Sequence, residues 1–233
     1  MGSRGVGRDA LVRPGRANGA KNTGLQIIFE GGHPGNQHHK QGLKLLLDRC
    51  SASGRKIQVV MGFGRNLAAR TFLDRLAEGA DAFLLIDSEG PWSPQSVSEL
   101  AGVDLAPHED RVFFMVQVME SWFIADSNAL KGIKNANLSL LDEELRKQNG
   151  KIEAISKARV SDLFTKATSP HVCSTDNGKG LRLSYLANLD PEKLRTASPE
   201  ADRLIRTAEN SWVPLPKPPA ESQKAPDLDD VAE

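Results

Sequence analysis

The chain has 233 residues, enough to bury one good core and to form one or two domains. Its 30 Lys and Arg balance 30 Asp and Glu, so a uniformly basic nucleic-acid surface is excluded, although a local basic patch is not. With 39% apolar and 26% charged residues the composition is that of a soluble globular protein, and no apolar run approaches the roughly 18–20 residues that span a bilayer.

Residues 1–23 are rich in Gly, Arg and Asn and follow neither a helical nor a strand period, which predicts a disordered basic tail without the apolar stretch of a secretory signal. Residues 25–30 form an apolar run ending in Glu30 and are expected as a buried strand. Residues 40–50 carry Leu43, Leu46 and Leu47 at helical spacing. A second strand is expected over 57–61, closed by Gly62 and Gly64, and a helix over 67–77 with Phe72, Leu73 and Leu76 on one face. Residues 82–86 read as a third strand and 112–116 as a fourth. Continuous apolar strands separated by helices predict an α/β fold, a parallel sheet covered by helices on both faces. Beyond it the pattern turns helical over 119–130, 138–148, 155–167 and 198–209, with Asp190-Pro191 and Ser198-Pro199 as helix starts. Trp122 and Phe123 are expected in the core. The division this implies is a basic tail over 1–23, an α/β core over 24–131, a helical extension packed on it over 132–212, and a disordered Pro-rich acidic tail over 213–233. Cys50 and Cys173 lie far apart and form no metal-type pair, so they are expected as reduced thiols in a cytoplasmic protein.

Ligands of open parallel sheets bind outside the carboxyl ends of the strands. The residues there are Glu30, then Arg65 and Asn66, then Asp87 and Glu89, then Gln117 and Glu120. Asp87 and Glu89 stand two apart, so on extended backbone both carboxylates face one side. Together with Glu30 they form a hard-oxygen set suited to Mg²⁺ or Mn²⁺. Without a cation, such crowding raises at least one carboxyl pKa and offers a general acid or base. Arg65 has the fork geometry that matches phosphate. Each acid alone could simply end a strand or cap a turn; it is three at matching strand ends that point to a site. Glu120 equally suits the dipole of the helix it opens, and Gln117 could merely end its strand. His33, His38 and His39 share a Gly/Pro/Asn/Gln loop without a closed ligand set, and His171 with Cys173 lacks two further ligands.

The segments Ile27-Ile28-Phe29-Glu30-Gly31-Gly32 and Leu84-Leu85-Ile86-Asp87-Ser88-Glu89 resemble Toprim domains, where a glutamate follows the first strand and an Asp-x-Asp pair the third; here the second acid is Glu. More narrowly, Gly64-Arg65-Asn66, the run from Met115 through Glu120-Ser121-Trp122-Phe123 to Asp126, Asp190-Pro191-Glu192-Lys193 and Ala197-Ser198-Pro199 resemble the bacterial domain-of-unknown-function family 4276, over roughly residues 25–209. The chain departs from that pattern in Gly31-Gly32-His33-Pro34-Gly35, and in carrying only Lys179 and Arg182 where a basic stretch is expected. The resemblance implies a Toprim/Rossmann-like fold and proteins encoded beside AAA-type ATPases in bacterial defence clusters. It further implies a Mg²⁺- or Mn²⁺-dependent nuclease on DNA or RNA, with Glu30, Asp87 and Glu89 at the metal and Arg65 and Lys179 on phosphate. The alternative is a non-catalytic subunit that binds the ATPase. A receiver-like phosphoacceptor is disfavoured, because no acid pair follows the first strand and no fifth strand with its lysine is evident.

Overall fold

The computed structural model describes residues 24–31, 38–51, 55–90, 103–168 and 185–209. Both expected tails lie outside the described residues, as do His33, His171, Cys173, Lys179, Arg182 and the side chains of His38 and His39.

Four parallel strands form the sheet: β1 (Leu25–Phe29), β2 (Ile57–Met61), β3 (Ala82–Asp87) and β4 (Val112–Met115), in the order β2-β1-β3-β4. Phe29 stands opposite Met61 on one side and Leu85 on the other, and Asp87 stands opposite Met115. β1 and β4 are apolar almost throughout because both sheet faces are covered. One face presents Ile27, Phe29, Val59, Phe83, Leu85 and Phe113 to α1 (His38–Cys50), whose Leu43, Leu46 and Leu47 are buried as their spacing predicts. The other presents Ile28, Leu84, Ile86 and Phe114 to Ala68, Ala69 and Phe72 of α2 (Arg65–Ala77). The α/β expectation is met, with each helix on the face that its crossover dictates.

The helical half is α3 (Ser121–Ala125), α4 (Ser139–Lys147), α5 (Lys157–Thr168), α6 (Pro191–Ala197) and α7 (Pro199–Ala208). The single helix expected over 119–130 is broken: Asp126 leaves helical geometry at φ −141°, ψ 83°, and a 3-10 turn follows over Ser127–Leu130. All five residues of α3 are buried, Trp122 and Phe123 among them as expected, so this short helix is surrounded. Asp190 and Ser198 cap α6 and α7, accepting from Glu192 N–H (2.9 Å) and Ala201 N–H (3.1 Å). α3 to α7 contribute to the same hydrophobic cluster as α1 and its sheet face. Phe83 stacks on Phe113, with the Arg111 guanidinium over the first ring and Arg203 over the second, which ties α7 to β3 and β4. At the outer edge of β4, Glu200 of α7 accepts from Phe114 N–H (3.2 Å) and Arg203 donates to the Val112 carbonyl. Among the described residues no helix is long and apolar enough to cross a membrane.

Candidate functional site

From β1 the chain crosses over to β2 on one side, and from β3 it continues to β4 on the other. The carboxyl ends of β1 and β3 therefore flank the switch point of the sheet, where neighbouring connections diverge and a crevice opens. Glu30 and Asp87 occupy those two ends. Glu30 is held by backbone bonds, its N–H donating to Leu85 O (2.9 Å) and its carbonyl accepting from Gly64 N–H (2.8 Å). Its carboxylate accepts from Asp87 N–H at 3.0 Å, so the two acids are joined across the switch point.

Two glycines bring α2 to the same place. A Cβ on Gly62 would stand 2.3 Å from the Ala68 Cβ, and Gly64 holds φ +105°, where a side chain is strained. α2 thus begins at Arg65, over the crevice. Arg65 Nη2 donates to Asp87 O (3.0 Å) and lies 3.5 Å from Glu89; its Nε lies 3.5 Å from Glu30, an ion-pair distance without a hydrogen bond. Asn66 stands exposed on the first turn of α2.

The extended backbone expected between Asp87 and Glu89 is not what forms. Glu89 adopts φ +60°, so the same-side rule of extended backbone does not apply to the pair. It is held by Arg65 from α2 and by Lys157 Nζ from α5. Gln117, at φ +67°, fixes this arrangement: its carbonyl accepts from Glu89 N–H (3.0 Å), its N–H donates to Ser88 Oγ (2.7 Å), and its Oε1 accepts from Lys157 N–H (3.2 Å). Gln117 therefore links the β3 loop to the start of α5 rather than merely ending a strand. Phe63, Glu89 and Gln117 all take left-handed backbone at this edge of the sheet. Such residues cost on the order of 1–3 kcal/mol each and concentrate at functional sites.

Asp87 is half-buried as a residue, yet its Oδ1 is shut off from solvent and has no hydrogen-bond partner. Burial, then the negative charges of Glu30, Glu120 and Glu89, hold its carboxyl well above the usual aspartate range, opposed by the Met119 backbone N–H. Glu120 precedes α3 and, with Val118, Lys157 and Phe164, lines a cleft of about 140 Å³. Glu30, Arg65, Asp87 and Glu89 are thus brought together, with Glu120 near Asp87. Lys157 is the site residue that sequence reasoning missed.

The acids offer oxygen donors only, the chemistry that suits a hard divalent cation, and the orphaned Asp87 Oδ1 is the kind of atom such an ion satisfies. Among the described residues no three His, Cys, Asp or Glu side chains already converge as a ligand set. Instead Arg65 and Lys157 neutralise Glu30 and Glu89.

A second polar cluster sits where α3 ends. Asp126, 3% exposed, pairs with Lys193 Nζ (2.6 Å) and accepts from Asp190 N–H (2.9 Å), beside an open groove of about 450 Å³. It clamps α6 to the core.

Compared with known proteins, the chain matches no family model, no curated protein and no solved structure.

Proposed function

We propose that the chain is a Toprim-like phosphodiesterase acting on DNA or RNA, with Asp87, Glu30 and Glu89 as the ligands of Mg²⁺ or Mn²⁺. The observation that carries this reading is the junction of Glu30 and Asp87 across the switch point, with one Asp87 oxygen buried and unsatisfied. A bound divalent cation would neutralise phosphoryl charge and lower the pKa of its water. In the chain itself, Arg65 would pair with phosphate oxygens, and the uncapped start of α2 would add its dipole. The carboxylate form ligates, and burial with the neighbouring acids holds the Asp87 carboxyl above its usual range, so metal affinity should rise with pH. Lys179, outside the described residues, remains the second phosphate-binding candidate of this proposal, Asn66, Gln117 and Glu120 its accessory candidates, and an AAA-type ATPase its partner.

A second reading, a non-catalytic subunit that binds such an ATPase, is favoured by one observation: Arg65 and Lys157 already neutralise two of the three acids. Calorimetric titration of Mg²⁺ and Mn²⁺ into wild type and Asp87→Asn, followed by cleavage assays on DNA and RNA, separates the two. Metal binding lost in Asp87→Asn and metal-dependent cleavage are expected. Equal affinity in both proteins, or no binding at millimolar ion, overturns the phosphodiesterase and leaves the binding subunit.

A further inference from the structure

We propose that Arg65 and Lys157 form a phosphate-binding pair whose place is held in the resting protein by the carboxylate of Glu89, an internal substitute that an incoming phosphate group displaces. The proposal rests on the phosphodiesterase reading in taking a phosphate group as the ligand, but not on any metal.

The two cations come from opposite halves of the chain, Arg65 from the start of α2 and Lys157 from the start of α5. They meet on the two oxygens of one carboxylate, Arg65 Nη2 at 3.5 Å from Oε1 and Lys157 Nζ on Oε2. Oxygens shared between a guanidinium and an ammonium reproduce how a phosphate group is held. The occupant can leave. Its side chain is 38% exposed, that of Lys157 is 49%, and the cleft beside Lys157 gives solvent a way in. Its backbone stays at φ +60°, where the N–H bond to Gln117 O holds it, so the carboxylate can leave by side-chain rotation alone. Arg65 is anchored independently of Glu89, through Asp87 O and beside Glu30, so it stays in place when Glu89 swings out. Lys157 is likewise fixed at its backbone by Gln117 Oε1.

The test uses the full-length protein in excess chelator, with orthophosphate as the probe, titrated by calorimetry. Glu89→Gln should bind phosphate on the order of tenfold more tightly than wild type, the scale of two part-exposed ion pairs released together. Glu89→Gly removes the same carboxylate and suits the left-handed backbone, and it should show the same gain even where Gln perturbs folding. Adding Lys157→Met to either variant should abolish the gain. Phosphate affinity unchanged in both Glu89 variants, or a gain that survives Lys157→Met, overturns the proposal. Because no metal is present, failure here leaves the metal titration of Asp87→Asn free to succeed, and the reverse.

Discussion

Trp122→Ala should cost the protein about 3–5 kcal/mol of stability, and Trp122→Phe far less. Trp122 is 1% exposed within α3, between the sheet and the helical half. A buried aromatic of this size removes roughly 150–250 Å² from water, worth about 4–6 kcal/mol at about 25 cal/mol per Å². Alanine retains a small part of that. Phenylalanine keeps most of it, and it also removes the indole N–H, which is buried without a hydrogen-bond partner. An unsatisfied buried donor costs about 1–3 kcal/mol, so its loss offsets the smaller ring, and the net change should fall within about 1 kcal/mol. In a folded unit of this size 1 kcal/mol moves the Tm by roughly 2–4 °C, so the alanine variant should melt about 6–20 °C lower and the phenylalanine variant within about 4 °C. Thermal and urea unfolding followed by far-UV circular dichroism reads both. A phenylalanine variant as unstable as the alanine one would mean that the indole N–H has a partner. A near-neutral alanine variant would remove α3 from the core.

Asp87→Asn should be more stable than wild type at neutral pH. The folded pKa of Asp87 stands above its unfolded value of 3.8, so the stability it contributes is complete below that value and is lost as pH rises through the folded pKa. The variant cannot ionise there; its advantage should vanish near pH 4 and grow upward, and urea midpoints showing no such trend would refute the upward shift of Asp87. Asp126→Ala should cost about 1–3 kcal/mol by leaving the Asp190 N–H without its acceptor and the part-exposed Lys193 without its counter-charge, and Asp126→Ala/Lys193→Met should recover part of it; an additive double variant would show that the pair is not coupled. Cys50 is buried and its thiol is pushed up to about 11, chiefly by burial, so in a Cys173→Ser background a disulfide reagent at pH 8 should modify it only as fast as the protein opens. Modification at the rate of a free thiol would contradict that burial.

The sheet was legible because strands buried on both faces write continuous apolar runs, and its crevice was legible because parallel topology brings the strand ends together. Glu30, Arg65 and Asp87 were found by that rule alone. The rule stops at the backbone. Nothing around Glu89 announces a left-handed residue, since Gly90 beside it is the residue a turn would assign that role. Lys157 carries no local signal either: it reaches the site from the helical half, 68 residues beyond Glu89, and only packing selects it from the other surface lysines. The break at Asp126 was hidden for a similar reason, because its apolar neighbours continue at helical spacing while its own carboxylate bonds to Asp190 and Lys193.

The bonds from α7 to the outer edge of β4 decide how this protein can associate. Glu200 and Arg203 take up the Phe114 N–H and the Val112 carbonyl that an added strand would use, so two side chains do the work of a fifth strand. At the opposite border no described element pairs with β2. A sheet that can be extended on one side only has no means of propagating. Two copies meeting through β2 would satisfy each other in an antiparallel, two-fold pairing and leave no further edge. Among the described elements, strand addition through β2 would therefore end at a pair, and a substitution that uncovers β4, such as Glu200→Ala with Arg203→Ala, would open a second edge.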